Sequence, residues 1–513
     1  MNGAESLVRT LLACGVDTCF ANPGTSEMHF VSALDAVPGM RCVLGLAETV
    51  VTGCADGYAR MAGKPAATLL HCGPGLANGI ANIHNGRRAN SPMLNIVGDH
   101  AGYHTRYDTP LTYDVEGLAR TISHWVRTSS SAQSIGADAA AAVQAALSPP
   151  GQIATLVLPA DASWNEGGEV GRPLRVLART AVAPQTILAI AQVLRTRESA
   201  VLVLTGEALG EDGLKAAQRV AHVTGAALRT PTQVARMARG RGRVPVDRIP
   251  YSREKAVEAL HGVKHVILVG AKPPAQFFAY PNKPSLVAPP DAQMHVLARP
   301  EQDTIAALDW LADELGAPAS VPIPQSITQP QLGSGRFDTD VFASTLAALL
   351  PEDCIVVEEA VTSGRTLFGR TFNAAPHDWL QITGGAIGQG LPSATGAAVA
   401  CPDRKVVCLQ ADGAGMYSLQ ALWTQARERL DVVNVVFANG SYKILQGELL
   451  AVGAKPGPVS NDLFDLRRPS LDWVKLAAGM GVEGRAVESI EQFTDVFTGA
   501  CARRGPFLIE FRF

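Results

Sequence analysis

The order of apolar and polar positions along this chain is that of alternating helices and strands. Leu7, Val8, Leu11 and Leu12 recur at helical spacing, and Gly15 stands where a helix C-cap glycine belongs. Short apolar runs then predict strands at Thr18–Ala21, Val43–Leu46, Ala67–His71, Met93–Val97 and Ala154–Leu158. Helical stretches such as Val50–Met61 and Leu76–Asn85 separate most of them. Apolar strands alternating with helices imply a parallel sheet covered on both faces. The pattern resumes twice. Ala200–Leu204 and His265–Val269 mark a second unit, and Cys354–Val357, Lys405–Gln410, Val432–Ala438 and Pro506–Phe511 a third. A polar Gly/Pro-containing stretch, Trp164–Pro173, and the Pro/Ser/Gln mix of Ala317–Gly335 read as linkers. The expectation is an α/β protein of three domains at 1–168, 184–316 and 338–513, each a parallel sheet flanked by helices. The first and third share an outline, each the size of about six strands.

Composition narrows the function. With 513 residues the chain is too long for one core. Its 47% hydrophobic and 18% charged content belongs to a folded globular protein. A net charge of −3 without a basic block argues against nucleic acid as the main partner. No apolar run reaches the ~18–20 residues needed to span a membrane. Met1-Asn2-Gly3-Ala4-Glu5 lacks the basic start of a secretory signal. Nine cysteines without Cys-x-x-Cys spacing read as reduced thiols, so a cytoplasmic location is expected.

The chemistry concentrates at strand ends. Asp412-Gly413 closes the run Lys405–Gln410, and Asn439-Gly440-Ser441 closes Val432–Phe437, with a helix-like stretch between. Two parallel strands joined by a crossover helix bring both C-terminal ends to one edge of a sheet. A carboxylate and an amide oxygen there suit Mg²⁺, which prefers oxygen ligands and shares them with bound phosphate. Glu48 stands between an apolar strand and a helix, a second charged group at a strand exit.

The segment Ala411–Leu445 resembles the signature of thiamine-diphosphate enzymes, which begins Gly-Asp-Gly and ends Asn-Asn. Ala411 and Ala438 depart from it without removing a metal ligand. Near the other end, Glu48, then Ala55-Asp56-Gly57-Tyr58-Ala59-Arg60, then Gly73-Pro74-Gly75 resemble the pyrimidine-binding domain of acetolactate synthases and benzoylformate decarboxylases. The resemblance implies thiamine diphosphate (ThDP) and Mg²⁺ as cofactors, held between a pyrimidine-binding first domain and a diphosphate-binding third domain. By that resemblance Asp412, Asn439 and the Ser441 carbonyl hold the metal. Thr362, Ser363 and the Gly413 and Ala414 amides contact the diphosphate. In Gly384–Pro392, Ile387 wedges between the cofactor's rings and the Gly385 carbonyl accepts from its amino group. Glu48 is the carboxylate that touches the pyrimidine nitrogen, in an apolar pocket.

Three further positions bear on substrate. Asn22-Pro23-Gly24-Thr25 resembles the decarboxylases' substrate loop, with Thr25 in place of its Ser. His71 matches an active-site His of benzoylformate decarboxylase. The second such His is expected near Gln276–Tyr280, where this chain has Phe277 and Phe278. The implied activity is decarboxylation of a small 2-oxo acid, or carboligation of the acetolactate-synthase kind. The alternative is a non-catalytic cofactor-binding paralogue or partner subunit. Whether FAD binds is not legible in the middle segment. The resemblance also implies a homodimer or homotetramer with sites at the subunit interface.

Overall fold

The computed structural model describes residues 1–324 and 329–513, so part of the Ala317–Gly335 linker lies outside the described residues. Three sheets organise the chain. The first contains β1 (Thr18–Ala21), β2 (Arg41–Leu44), β3 (Ala66–His71), β4 (Met93–Asp99), β5 (Trp125–Thr128) and β6 (Ile153–Pro159), in the order β2-β1-β3-β4-β6-β5. The middle unit supplies β7 (Ala200–Leu204), β8 (Ala227–Thr230), β9 (Met237–Arg239), β10 (Asp247–Arg248), β11 (His265–Val269) and β12 (Gln293–Ala298). All but β9 form its own sheet, β10-β8-β7-β11-β12. The third sheet holds β13 (Cys354–Glu359), β14 (His377–Gln381), β15 (Val406–Ala411), β16 (Val432–Ala438), β17 (Glu483–Val487) and β18 (Phe507–Arg512). Its order is β14-β13-β15-β16-β18-β17, the first sheet's order repeated. The strands within each sheet are parallel, save that β9 joins the third sheet antiparallel along β14.

The repeat fixes where a site can form. In both outer sheets the chain reverses direction between the first strand and the third. That switch point opens a crevice beyond the carboxyl ends of neighbouring strands. In the first sheet those ends carry Asn22–Glu27 after β1 and His71 at the close of β3. In the third they carry Glu359 at the close of β13 and Asp412 just after β15.

The outer units pack through two matching helices, Glu48–Ala62 and Gly390–Ala400. Both are buried along nearly their whole length, so neither shows the polar face of a surface helix. Their close crossing depends on absent side chains. A Cβ on Gly57 would stand 2.1 Å from the Ser393 carbonyl oxygen, and one on Gly396 1.8 Å from that of Cys54. Beside the crossing, Arg60 pairs with Asp56 in full burial at 2.7 Å. The same guanidinium donates to the Gln381 carbonyl at 2.7 Å and to Thr383 Oγ1 at 3.0 Å. Removing one partner of such a buried pair typically costs about 3–5 kcal/mol; the pair lies within one helix, and the two further bonds of its guanidinium join the units.

Candidate active site

At the first sheet's edge, Glu48 is the first residue of its helix. The carboxylate is buried against Gly75, and the Asn78 side-chain amide donates to it at 3.2 Å. Its surroundings are therefore partly polar, where the sequence led us to expect an apolar pocket. His71 sits beside a group that sequence reasoning passed over. Its Nδ1 lies 3.1 Å from each oxygen of the buried Glu27 carboxylate. Ser26 Oγ donates to Glu27 and stands 3.1 Å from His71 Nδ1 and 3.2 Å from Cys72 Sγ. The Gly24 N–H donates to Glu27 at 2.7 Å. Gly24 also lies flat against the imidazole: a Cβ there would stand 2.2 Å from the ring. Thr25 is exposed, and the hydroxyl that meets His71 belongs to Ser26. Burial pushes the Cys72 thiol up to about 11.

At the third sheet's edge, Asp412 is buried and its carboxylate accepts from the Gly413 N–H at 2.8 Å and the Gly440 N–H at 2.7 Å. Burial raises its pKa despite those bonds, so a cation beside it relieves a real cost. Asn439 Oδ1 accepts from the Ser441 N–H at 2.9 Å, and Ser441 Oγ donates to the Phe464 carbonyl at 3.0 Å. Both residues are thus held on the loop beside Asp412, with Gly440 at φ 65° making the turn. Gly413 and Ala414 follow in a one-turn helix, and Tyr442 lies over Gly413. Ser363 is buried in the turn after β13, next to the half-buried Thr362.

Glu359 is a second missed carboxylate. It is fully buried and accepts from the N–H groups of Gly388 at 2.8 Å and Gly390 at 2.7 Å, and from Gln410 Nε2 at 2.9 Å. It thereby anchors the turn that presents Gly385 and Ile387. Burial raises its pKa. The acidic pair Glu358-Glu359 closing an apolar strand was the signal available. From the first unit, Asn85 Nδ2 donates to the Ala386 carbonyl at 2.8 Å, while His84 Nε2 lies 3.2 Å from the Gly384 carbonyl.

The middle unit reaches the same turn. Phe277 lies on Gly385, whose φ is +78°, so closely that a Cβ would stand 2.3 Å from the ring tip. Tyr251 and Tyr280 donate to the two oxygens of Glu448 at 3.0 and 2.9 Å. That tie reaches the helix Lys443–Ala451, which follows the Asn439–Ser441 loop.

Each edge is therefore a cluster in its own right. Among the described residues, no hydrogen bond or ion pair joins Glu48 or His71 to Asp412 or Asn439. All nine cysteines are free, and no described helix is long and apolar enough to cross a membrane.

Comparison with known proteins finds a family model over part of each outer unit. Residues 1–118 match the model of the thiamine pyrophosphate enzyme N-terminal TPP-binding domain, and residues 366–511 that of the C-terminal TPP-binding domain. A Mycobacterium tuberculosis protein provisionally named acetolactate synthase large subunit IlvX is 51% identical over 99% of this chain and 98% of its own. A Pseudomonas aeruginosa benzoylformate decarboxylase is 27% identical over 97% and 96%. The structure of a ThDP-dependent 4-hydroxybenzoylformate decarboxylase from Rhodococcus jostii superposes with a TM-score of 0.86 at 25% identity, covering 100% of this chain and 99% of that one. Matches at both edges and relatives aligned from end to end place this chain in the thiamine pyrophosphate enzyme family.

Proposed function

We propose that this protein is a ThDP- and Mg²⁺-dependent enzyme that removes CO₂ from a small 2-oxo acid and releases an aldehyde or forms a new carbon–carbon bond. The observation that carries the reading is Asp412: a buried carboxylate at the switch point, with an amide oxygen on the adjacent strand exit. That donor set fits Mg²⁺ bound to a diphosphate. In this reading residues 338–513 hold the diphosphate, 1–168 hold the pyrimidine, and 184–316 form the middle domain.

When bound, the cofactor supplies a nucleophilic carbon and an electron sink. This chain supplies the rest. Asp412, Asn439 and the Ser441 carbonyl hold the metal, while Thr362, Ser363, Gly413 and Ala414 line the diphosphate. Gly385 and Ile387 set the cofactor's bend, on a turn that Glu359 fixes. Glu48 exchanges a proton with the pyrimidine nitrogen. His71, oriented through Nδ1 by Glu27, leaves Nε2 to move protons at the substrate. The Ser26 and Thr25 loop closes the substrate side.

Among the described residues no hydrogen bond or ion pair joins Glu48 or His71 to Asp412 or Asn439, and we infer that a site is completed by a second copy, in a homodimer or homotetramer. The helices Lys443–Ala451 and Pro458–Phe464 support this. Neither buries a residue, and they leave Leu445, Leu450, Val459 and Leu463 exposed beside the metal loop.

The test is a panel of 2-oxo acids incubated with protein, ThDP and Mg²⁺, following CO₂, aldehyde and acyloin. Turnover of at least one, lost on removing ThDP, is expected. No product from any of them would refute the reading.

A further inference from the structure

Glu27, His71 and Cys72 present a carboxylate oxygen, an imidazole nitrogen and a thiol sulfur that all lie within 4.8 Å of one another. We propose that these three residues bind a thiophilic divalent cation such as Zn²⁺, at a site distinct from the all-oxygen site at Asp412, and that the ion inhibits the enzyme. The proposal deepens the reading above only in its second half, since inhibition requires that His71 serve turnover.

Two of the spacings are near those that a tetrahedral ion needs. With Zn–S near 2.3 Å and Zn–N or Zn–O near 2.0–2.1 Å, a tetrahedral site needs S···N of about 3.5 Å and N···O of about 3.3 Å. Here Cys72 Sγ lies 3.8 Å from His71 Nδ1, and Nδ1 lies 3.1 Å from Glu27. Little must move. Glu27 cannot swing away: Gly98 of β4 packs so close that a Cβ there would meet its oxygen at 1.8 Å, and the Gly24 N–H holds the other side. Cys72 is held in the left-handed region at φ 52°, a conformation that a non-glycine residue keeps only when its surroundings impose it. A way in exists, because the His71 side chain is 21% exposed.

Ligand chemistry separates this site from the magnesium site. Thiolate and imidazole select zinc-like ions, while carboxylate and carbonyl oxygens suit Mg²⁺. Three protein ligands leave a fourth position for water, as in zinc sites that stay open. The thiol proton leaves to solvent as the metal binds. The ion then occupies the His71 nitrogen that Glu27 otherwise orients, and the ring can no longer turn over protons.

Cobalt provides a direct readout. Co²⁺ is titrated into the full-length protein carrying ThDP and excess Mg²⁺, following sulfur-to-cobalt charge transfer in the near ultraviolet. We expect a saturable band at one Co²⁺ per chain, displaced by Zn²⁺. The band disappears in Cys72→Ser and in Cys72→Gly, the second chosen because glycine accepts the backbone at that position. Glu27→Gln weakens binding at least tenfold. No band, or a band that survives both Cys72 variants, overturns the site. These spectra do not depend on turnover, so they stand even if no 2-oxo acid proves to be a substrate. Where turnover is measured, Zn²⁺ should inhibit the wild type, and inhibition should need at least tenfold more Zn²⁺ in Cys72→Gly. Equal sensitivity would overturn the inhibitory role.

Discussion

Gly57→Ala is a sharp test of how the two cofactor-binding units are held together, because two opposing effects of known size act at that position. In the middle of a helix, alanine is favoured over glycine by about 1 kcal/mol, so a free helix would be stabilised. Here the new methyl carbon would stand 2.1 Å from the Ser393 carbonyl oxygen and 2.7 Å from two further Ser393 backbone atoms. Ordinary contact begins near 3.4 Å, so the Gly390–Ala400 helix must retreat by about 1.3 Å. Backbone cannot rotate out of the way as a side chain can. With the third unit moving as one body with that helix, a retreat of that size carries the Arg60 bond to the Gln381 carbonyl, now 2.7 Å, past the hydrogen-bond limit. Overpacking costs about 1–3 kcal/mol. A lost bond to a charged group costs a further ~1.5–3 kcal/mol. After subtracting the helix gain, the net loss is about 2–5 kcal/mol. The apparent unfolding midpoint by circular dichroism should fall by roughly 10 °C, taking one ~170-residue unit as the cooperative element. An unchanged or raised midpoint would refute the reasoning, because helix propensity would then have won and the crossing could not be so tight.

Other consequences are equally specific. Asp412→Ala should abolish Mg²⁺-dependent ThDP binding by calorimetry, and undiminished binding would remove Asp412 from the metal site. Gly385→Ala combines a left-handed backbone, at about 1–2 kcal/mol, with a clash on the Phe277 ring tip. It should weaken ThDP binding at least tenfold, and Phe277→Leu should restore part of the loss; no rescue would mean that the ring is not the obstacle. Asp378 is pushed up by burial but held below its usual range overall by its bonds to Arg236 and Arg404. A depressed carboxylate stabilises the fold above its unfolded pKa of about 3.9, and that contribution fades as pH falls through the lower folded value. The stability gap between wild type and Asp378→Asn should therefore be full at pH 6 and shrink below about pH 4; a gap independent of pH would contradict the assignment.

Much of the fold was legible because buried parallel strands are written as plain apolar runs. Ala200–Leu204 and His265–Val269 stand where the pattern placed them. The strands that escaped are less apolar. Trp125–Thr128 and Glu483–Val487 are edge strands, half exposed and carrying charge. His377–Gln381 is buried but polar, since Asp378 is paired with two arginines and Gln381 donates to Glu358. The antiparallel β9 depends on a contact between units that no local pattern encodes. The site divides in the same way. Glu48, Asp412 and Asn439 stand at strand exits, where a polar residue after an apolar run is conspicuous. Glu27, Glu359 and Glu448 act through partners distant in sequence, so only the folded chain shows what they hold. That Ser26 presents its hydroxyl to His71 is a matter of one residue's direction in a short turn, which no sequence pattern gives.

The central claim is that Glu48 drives ThDP chemistry on a 2-oxo acid, and its most direct test compares wild type with Glu48→Gln. ThDP and Mg²⁺ affinity is measured by calorimetry, and CO₂ release from the best 2-oxo acid under saturating cofactor. Unchanged cofactor binding is expected, with a fall in turnover of about 10²–10⁴-fold, the usual worth of a positioned acid–base group. Turnover within a few-fold of wild type, with the cofactor fully bound, would contradict the claim.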